Sequence, residues 1–346
     1  MQIIKLLFIN LASGSRADGR LFPSLRKYLP VSSNLMTDVN SPKKHHYIPE
    51  VYLKYFANKQ KQLWRRDKNK IKCSICTPAQ VGYEKDGNKL RTKEMFELSE
   101  LTDVYHIEKT AFKRQENNYP KVLSKINQYS TEPLVIGSSE YFLYLKTLVT
   151  IKRRNPTTRM HLTETYLNAY NSEDAIPQFK KYLIEEAAKE NVVLEDGVEN
   201  RIRDYIESRV SNPDWMYDMY LSAFLNPIEY KVIDDITSQL FGLKQFILHA
   251  PYNSQFITSD NPGFTKFKDT IVSTGGFGGD FEFYFPLTPT TCLLISSQIM
   301  DPAIGDEKWL YPVMVNSNDV SEINQSTKAI ANQKLFGYDK TKLEII

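Results

Sequence analysis

The feature that most constrains this chain is a change of hydrophobic period. From about residue 102 to residue 245, apolar residues recur mostly at helical spacing; from Phe246 onward short alternating and β-branched runs take over. Strands clustered after a helical middle, rather than alternating with helices, point to α+β architecture. The expectation is a helical amino-terminal and middle region packed on a mainly antiparallel carboxyl-terminal sheet.

Local signals place the elements. Residues 102–128 read as helix, with Pro120 expected to start a new helix or kink this one. Ser139 to Arg154 is strongly apolar and is stopped by Asn155-Pro156, because a residue before proline is pushed out of the helical region. Its last turn carries Lys152, Arg153 and Arg154, cations that complement the carboxyl end of the helix dipole. A mostly polar surface helix in which only Tyr182, Leu183 and Ile184, with the small Ala187 and Ala188, could face a core, a helix over 198–210 and a closing helix over 319–333 follow the same logic. Hairpins are expected for 62–66 with 71–73, for 246–250 with 255–259, and for 281–285 with 291–296; a short strand is expected at 335–338.

Composition sets limits. At 346 residues, 41% apolar and 25% charged, the chain can bury a sizeable core, and 21 tyrosines with 18 phenylalanines favour sheet as well as helix packing. A net charge of +3 is too mild to argue for a nucleic-acid partner. Charge is uneven, however: Lys59, Lys61, Arg65, Arg66, Lys68, Lys70 and Lys72 crowd around a single acid, Asp67. Three cysteines fit a reducing, cytoplasmic setting; the lone Cys73-x-x-Cys76 lacks the second half of a zinc ribbon and reads as two small apolar residues in a hairpin. No apolar run approaches the ~20 residues needed to cross a bilayer, so no membrane partner is expected. Residues 1–40 are unpatterned and read as a disordered or non-native extension, with Met36 as an alternative start and a single α+β domain over 41–346; deletion of 1–35 is expected to leave solubility and melting temperature unchanged. Oligomeric state is not written in the sequence.

Two strings stand out, His45-His46-Tyr47-Ile48-Pro49 and Phe256-Ile257-Thr258-Ser259-Asp260-Asn261-Pro262. With Tyr52-Leu53, Phe56, Leu63-Trp64, Ile107-Glu108, Glu116, Arg154-Asn155-Pro156, Phe285-Pro286-Leu287-Thr288-Pro289 and Asn324, the chain from His45 to Tyr338 resembles the bacterial family carrying domain of unknown function 4238. That family more often has Arg-Thr-Pro where this chain has Arg154-Asn155-Pro156, which leaves the role of position 155 open. The resemblance implies relatives but no reaction. It moves weight within the histidine pair from His45 to His46.

The residues themselves suggest a site. His46 is the leading candidate, because an imidazole titrates near neutrality and can shuttle a proton or bind a metal; Lys43 and Lys44 nearby would lower its pKa. The competing reading is a half-buried histidine capping the next helix. Glu108 and Glu116 are eight residues apart, about 80° around an α-helix, so they could not jointly hold one ion unaided. Glu108 fits a solvated face, and Glu116 fits an acidic partner. Arg154 and Arg153 can hold phosphate or carboxylate, or cap the helix and pair with Glu116 or Asp260. Asp260 is balanced between a local turn and a general base or metal ligand, with Asn261 beside it. Gly275-Gly276-Phe277-Gly278-Gly279 is followed by no helix and lacks the lysine-serine ending of a phosphate loop, so it reads as a flexible hairpin loop, with a mobile flap as the alternative.

Two functions follow. The first, narrowly preferred, is a nuclease-like hydrolase on a phosphate-bearing substrate: catalytic His46, Glu116 and Asp260, substrate-binding Arg154, Arg153 and Asn261, a cofactor unknown but a divalent metal compatible with the residue types, and a nucleic acid or nucleotide as partner. The second is a ligand- or partner-binding module without catalysis, in which the same residues form a structural polar network.

Overall fold

The computed structural model of the protein describes residues 43–93, 103–128, 131–189, 197–225, 232–273, 277–301, 303 and 305–346. The amino-terminal extension expected over 1–40 and the Gly275-Gly276 part of the glycine run lie outside them. The described residues group into two compact units, those within 90–104 and 162–222, and those within 40–89, 105–161 and 223–346.

In chain order the elements are β1 (Lys44–His46), α1 (Glu50–Leu53), β2 (Leu63–Asp67), β3 (Cys73–Cys76), β4 (Tyr83–Lys85), a π-helix (Ile107–Phe112) continuing into α2 (Lys113–Ile126), β5 (Leu134–Gly137) and α3 (Ser138–Arg153). Four helices follow: α4 (Pro156–Tyr170), α5 (Ala175–Lys189), α6 (Val198–Val210) and α7 (Pro213–Ser222). The chain then runs through α8 (Val232–Phe241), β6 (Leu243–His249), β7 (Thr258–Ser259), β8 (Phe264–Phe267), β9 (Thr270–Val272), β10 (Glu282–Pro286), β11 (Thr291–Met300), β12 (Glu307–Met314), α9 (Ser317–Ile330), β13 (Lys334–Gly337) and α10 (Lys340–Glu344). Helices in the amino-terminal and middle parts and strands toward the carboxyl end make an α+β fold.

In the larger unit a seven-stranded sheet runs β5-β12-β6-β11-β10-β8-β9 and a four-stranded one β3-β2-β13-β7, beside the β1–β4 pair. Among the described residues every strand pairing is antiparallel except β12 with β6, so the seven-stranded sheet is mixed. α3 supplies the apolar face that the sequence pattern demands. Tyr141, Tyr144, Leu145, Leu148, Val149 and Ile151 are buried in one cluster with Phe283, Phe285, Ile295 and Leu310 of the sheet. Each such side chain contributes roughly 1.5–3 kcal/mol of burial.

Two hairpins form as expected, β2 with β3 and β10 with β11. The third does not. β6 lies between β11 and β12, whereas β7 pairs with β13 in the other sheet. The segment between them is held by other groups: Phe256 N donates to Pro289 O, and Asn324 of α9 accepts from Ile257 N (3.0 Å) and donates to Gln255 O (2.8 Å). These partners replace the cross-strand bonds a hairpin would need. Of the two outcomes expected at Pro120, a new helix does not start there, since α2 runs through it as one element.

In the smaller unit, Leu183 and Ala187 of α5 pack with Val198, Ile202 and Ile206 of α6. Asp218 of α7 is buried and accepts from Arg91 N, Thr92 N and Thr92 Oγ1 at 2.7–3.0 Å. Burial pushes its carboxyl pKa up, while those donors pull it down.

Candidate functional site

Strand alternation sends the two histidines of β1 to opposite faces. His45 is buried, its Nδ1 accepts from Asn88 N (2.8 Å), and its ring meets Tyr105 edge-on. Asn88 in turn donates from Nδ2 to Glu108 Oε2 (2.6 Å), so His45 helps to frame Glu108. His46 sits opposite Tyr83 in the β1–β4 register, with the rings edge-on at 5.6 Å. Its Nε2 is buried and has no hydrogen-bond partner among the described residues.

The His46 pKa is lowered, chiefly by burial; Glu108, Glu50 and Glu116 act to raise it, and Arg154 to lower it. The expected effect of Lys43 and Lys44 is therefore corrected: the lowering comes from burial and Arg154, and Lys44 lies over the Tyr83 ring at 4.7 Å. The geometry of the two glutamates is also corrected. Glu108 lies in a π-helical turn and Glu116 in the α-helix that follows, so the 80° offset of an unbroken α-helix does not apply. Both carboxylates come close enough to His46 to act on its charge, and Glu108 is half-buried rather than on a solvated face.

Arg154 caps the carboxyl end of α3 and is 3% exposed. Its guanidinium donates to Glu116 Oε1 (2.8 Å) and to Tyr47 O (3.2 Å), and lies 4.3 Å from the Phe112 ring centre. Of the pairings open to Arg154, the structure makes the one with Glu116. Arg153 is half-buried in the same turn and acts to lower the pKa of Lys152.

Position 155 has a defined role. Asn155 Oδ1 accepts from Thr158 N (3.0 Å), and Nδ2 donates to Lys152 O and Thr158 Oγ1. This is a buried asparagine N-cap with Pro156 opening α4, so the tripeptide ends one helix and starts the next. A threonine there could accept from the same amide through its hydroxyl.

Asp260 and Asn261 occupy a second centre. Asp260 Oδ1 accepts from Asn332 N (2.8 Å), and Oδ2 accepts from Gln333 N (2.7 Å) and Lys334 N (2.9 Å). Asp260 N donates back to Lys334 O, closing a clamp on the turn between α9 and β13. Burial raises the Asp260 carboxyl pKa, and the amides oppose that rise. Asn261 Oδ1 accepts from Lys152 Nζ (2.6 Å), while its Nδ2 donates to Ile330 O (3.0 Å). Lys152 is fully buried, also donates to Gly263 O (2.6 Å), and has its pKa driven well below the ordinary value by burial. It is a latch into the 261–263 turn, not the dipole-facing cation expected from its place in the last turn. Spacing alone gave no sign of this burial.

Five of the six candidates thus divide into two groups, and Arg153 stands between Lys152 and Arg154 at the end of α3. His46, Glu116 and Arg154 form one group with Glu108 and Glu50. Asp260, Asn261 and Lys152 form another. Tyr47 is the link between them: its carbonyl accepts from Arg154, and Asp260 and Glu84 help burial to raise the pKa of its phenol. Among the described residues, no three His, Cys, Asp or Glu side chains gather so as to hold a metal ion. Cys73 and Cys76 are buried thiols paired in register with Arg66 and Leu63 of β2.

The fold and these two polar centres define an α+β protein with a buried polar frame, extensively paired at Arg154, Asp260 and Asn261. The chain belongs to the DUF4238 family, described as proteins of unknown function, whose profile matches residues 44–341. No curated protein and no solved structure matches it.

Proposed function

We propose that this protein is a non-catalytic ligand- or partner-binding module whose His46, Glu116, Arg154, Asp260 and Asn261 form a structural polar network. The observation that carries this reading is the engagement of Asp260 by three main-chain amides, which directs both carboxylate oxygens into the fold. Arg154 is spent in the same way, on Glu116, a carbonyl and an aromatic face. Buried polar groups this fully paired rigidify a core and specify its register. The basic segment supports the same view. Lys68 donates to the carbonyls of Ala329 and Ala331 at the end of α9, and the buried Arg66 donates to Glu344 O, so part of this charge is engaged within the fold, while Lys70 pairs with Asp67 and Arg65 donates to Ser74 at the surface. A cytoplasmic setting belongs to this reading, because all three cysteines are buried thiols.

A second reading is a nuclease-like hydrolase of phosphate-bearing substrates. It is favoured by one observation: the unpartnered Nε2 of a neutral-leaning His46 beside Glu108 and Glu116. The test is turnover of phosphomonoesters and phosphodiesters by the full chain, with the melting temperature of His46→Ala measured alongside. The module reading expects no turnover and a lower melting temperature. Turnover lost in a His46→Ala variant of unchanged stability overturns it.

A further inference from the structure

We infer that the cavity between the π-helix, α3 and α8 binds a neutral heteroaromatic compound of nucleobase or nucleoside size. This deepens the binding-module reading and rests on it.

The cavity encloses about 690 Å³, within the range of about 300–1,000 Å³ typical of small-molecule sites. α3 lays Phe142, Lys146 and Thr150 along it, one every fourth residue and so on one face. Phenylalanines pair along its walls: Phe112 meets Phe224 edge-on at 5.4 Å, and Phe142 meets Phe241 at 5.7 Å. Such aromatic walls offer ring faces and edges against which a flat ring can pack.

The polar groups narrow the class. Lys146 pairs with Asp234 in the lining, setting a donor beside an acceptor. That matches the adjacent acceptor and donor of a lactam or aminopyrimidine edge. The two charges cancel, so Lys146 is not an unopposed clamp for phosphate. Thr150 lines the same cavity, is 2% exposed, and its Oγ1 has no partner among the described residues. An unpaired buried hydroxyl is costly, and a bond to a ligand heteroatom offsets that cost. The π-helix contributes Thr110 and Phe112 to the lining, and such turns recur at functional sites. Phe112 also carries the Arg154 guanidinium, so the cavity wall and the polar frame share a side chain.

The test is calorimetric titration and thermal shift of the full chain with adenosine, guanosine, uridine and indole, and with AMP as the charged counterpart. The expected result is saturable binding of at least one neutral ring compound, with melting temperature rising with concentration. Thr150→Val keeps the shape and removes the hydroxyl, and is expected to weaken binding about fivefold to tenfold. Leu143→Trp fills the cavity and is expected to abolish binding. Failure of every neutral compound to bind at millimolar concentration overturns the inference. So does unchanged affinity in Thr150→Val, or AMP binding more tightly than adenosine. Phosphate-ester turnover that depends on His46 would refute the module reading without bearing on ring binding, so the two failures are separable.

Discussion

Asp260→Asn is the most informative single change, because it preserves shape while removing one acceptor and the charge. A carboxamide has one oxygen. Its best orientation keeps that oxygen at the Oδ2 position, retaining the bonds from Gln333 N and Lys334 N. The amide NH₂ then faces Asn332 N–H, which loses its 2.8 Å acceptor. Leaving that buried donor unpaired costs roughly 1–3 kcal/mol, and the two surviving bonds each lose about 1 kcal/mol of charge assistance. Against this, the burial that raises the Asp260 pKa no longer penalises a charge. The net destabilisation is about 2–4 kcal/mol. At roughly 2–4 °C per kcal/mol for a unit of this size, the melting temperature should fall by about 4–16 °C. Circular dichroism melts measure the fall. Amide exchange at Asn332, Gln333 and Lys334 should accelerate, locating the damage at the α9–β13 turn. A melting temperature within about 1 °C of wild type would refute the clamp argument.

Further outcomes follow from the same geometry. Asn155→Ala removes a buried N-cap and should destabilise by about 1–3 kcal/mol in denaturant titrations, while Asn155→Thr should recover most of the loss by accepting from Thr158 N. Burial holds the folded pKa of His46 below the ordinary 6.5, so its stabilising contribution is full above that pH and is lost as pH falls through the folded value. His46→Gln should therefore flatten the decline of melting temperature below about pH 6.5; the lowered His249 leaves a residual slope of the same sign. Lys152 follows the same rule below 10.5: its own contribution grows as pH rises toward that value, so the stability of wild type relative to Lys152→Met should increase with pH, while the buried tyrosines and cysteines, whose raised pKa values act with the opposite sign, are common to both proteins and cancel in the difference. Leu148→Ala in the fully buried face of α3 should cost about 2–5 kcal/mol by calorimetry.

Much of the polar frame was readable as residue types but not as contacts. His46, Glu116 and Arg154 are identifiable as candidates, and the Arg154–Glu116 pair is one of the alternatives their types allow. Asp260 in a Ser-Asp-Asn-Pro string suggests a turn that satisfies itself locally, whereas its actual donors are 72–74 residues away. Glu108 looks like a solvated helix position because α-helical spacing is the default reading; the π turn that redirects it follows from packing. Lys152 carries no sequence mark of burial, since its neighbours are the cations of an ordinary helix end.

By itself the sequence determined what depends on neighbours along the chain. That includes α3 with its stop at Asn155-Pro156, the β2–β3 and β10–β11 hairpins, the closing helix and the α+β order, because periodicity, turn chemistry and capping act over a few residues. Only the tertiary structure decided the parallel register of β12 on β6, the placement of β7 against β13, the burial of Lys152 and the aim of Asp260 at a distant turn. Those are set by which buried donors and acceptors find one another across the folded core, and no local pattern records that choice.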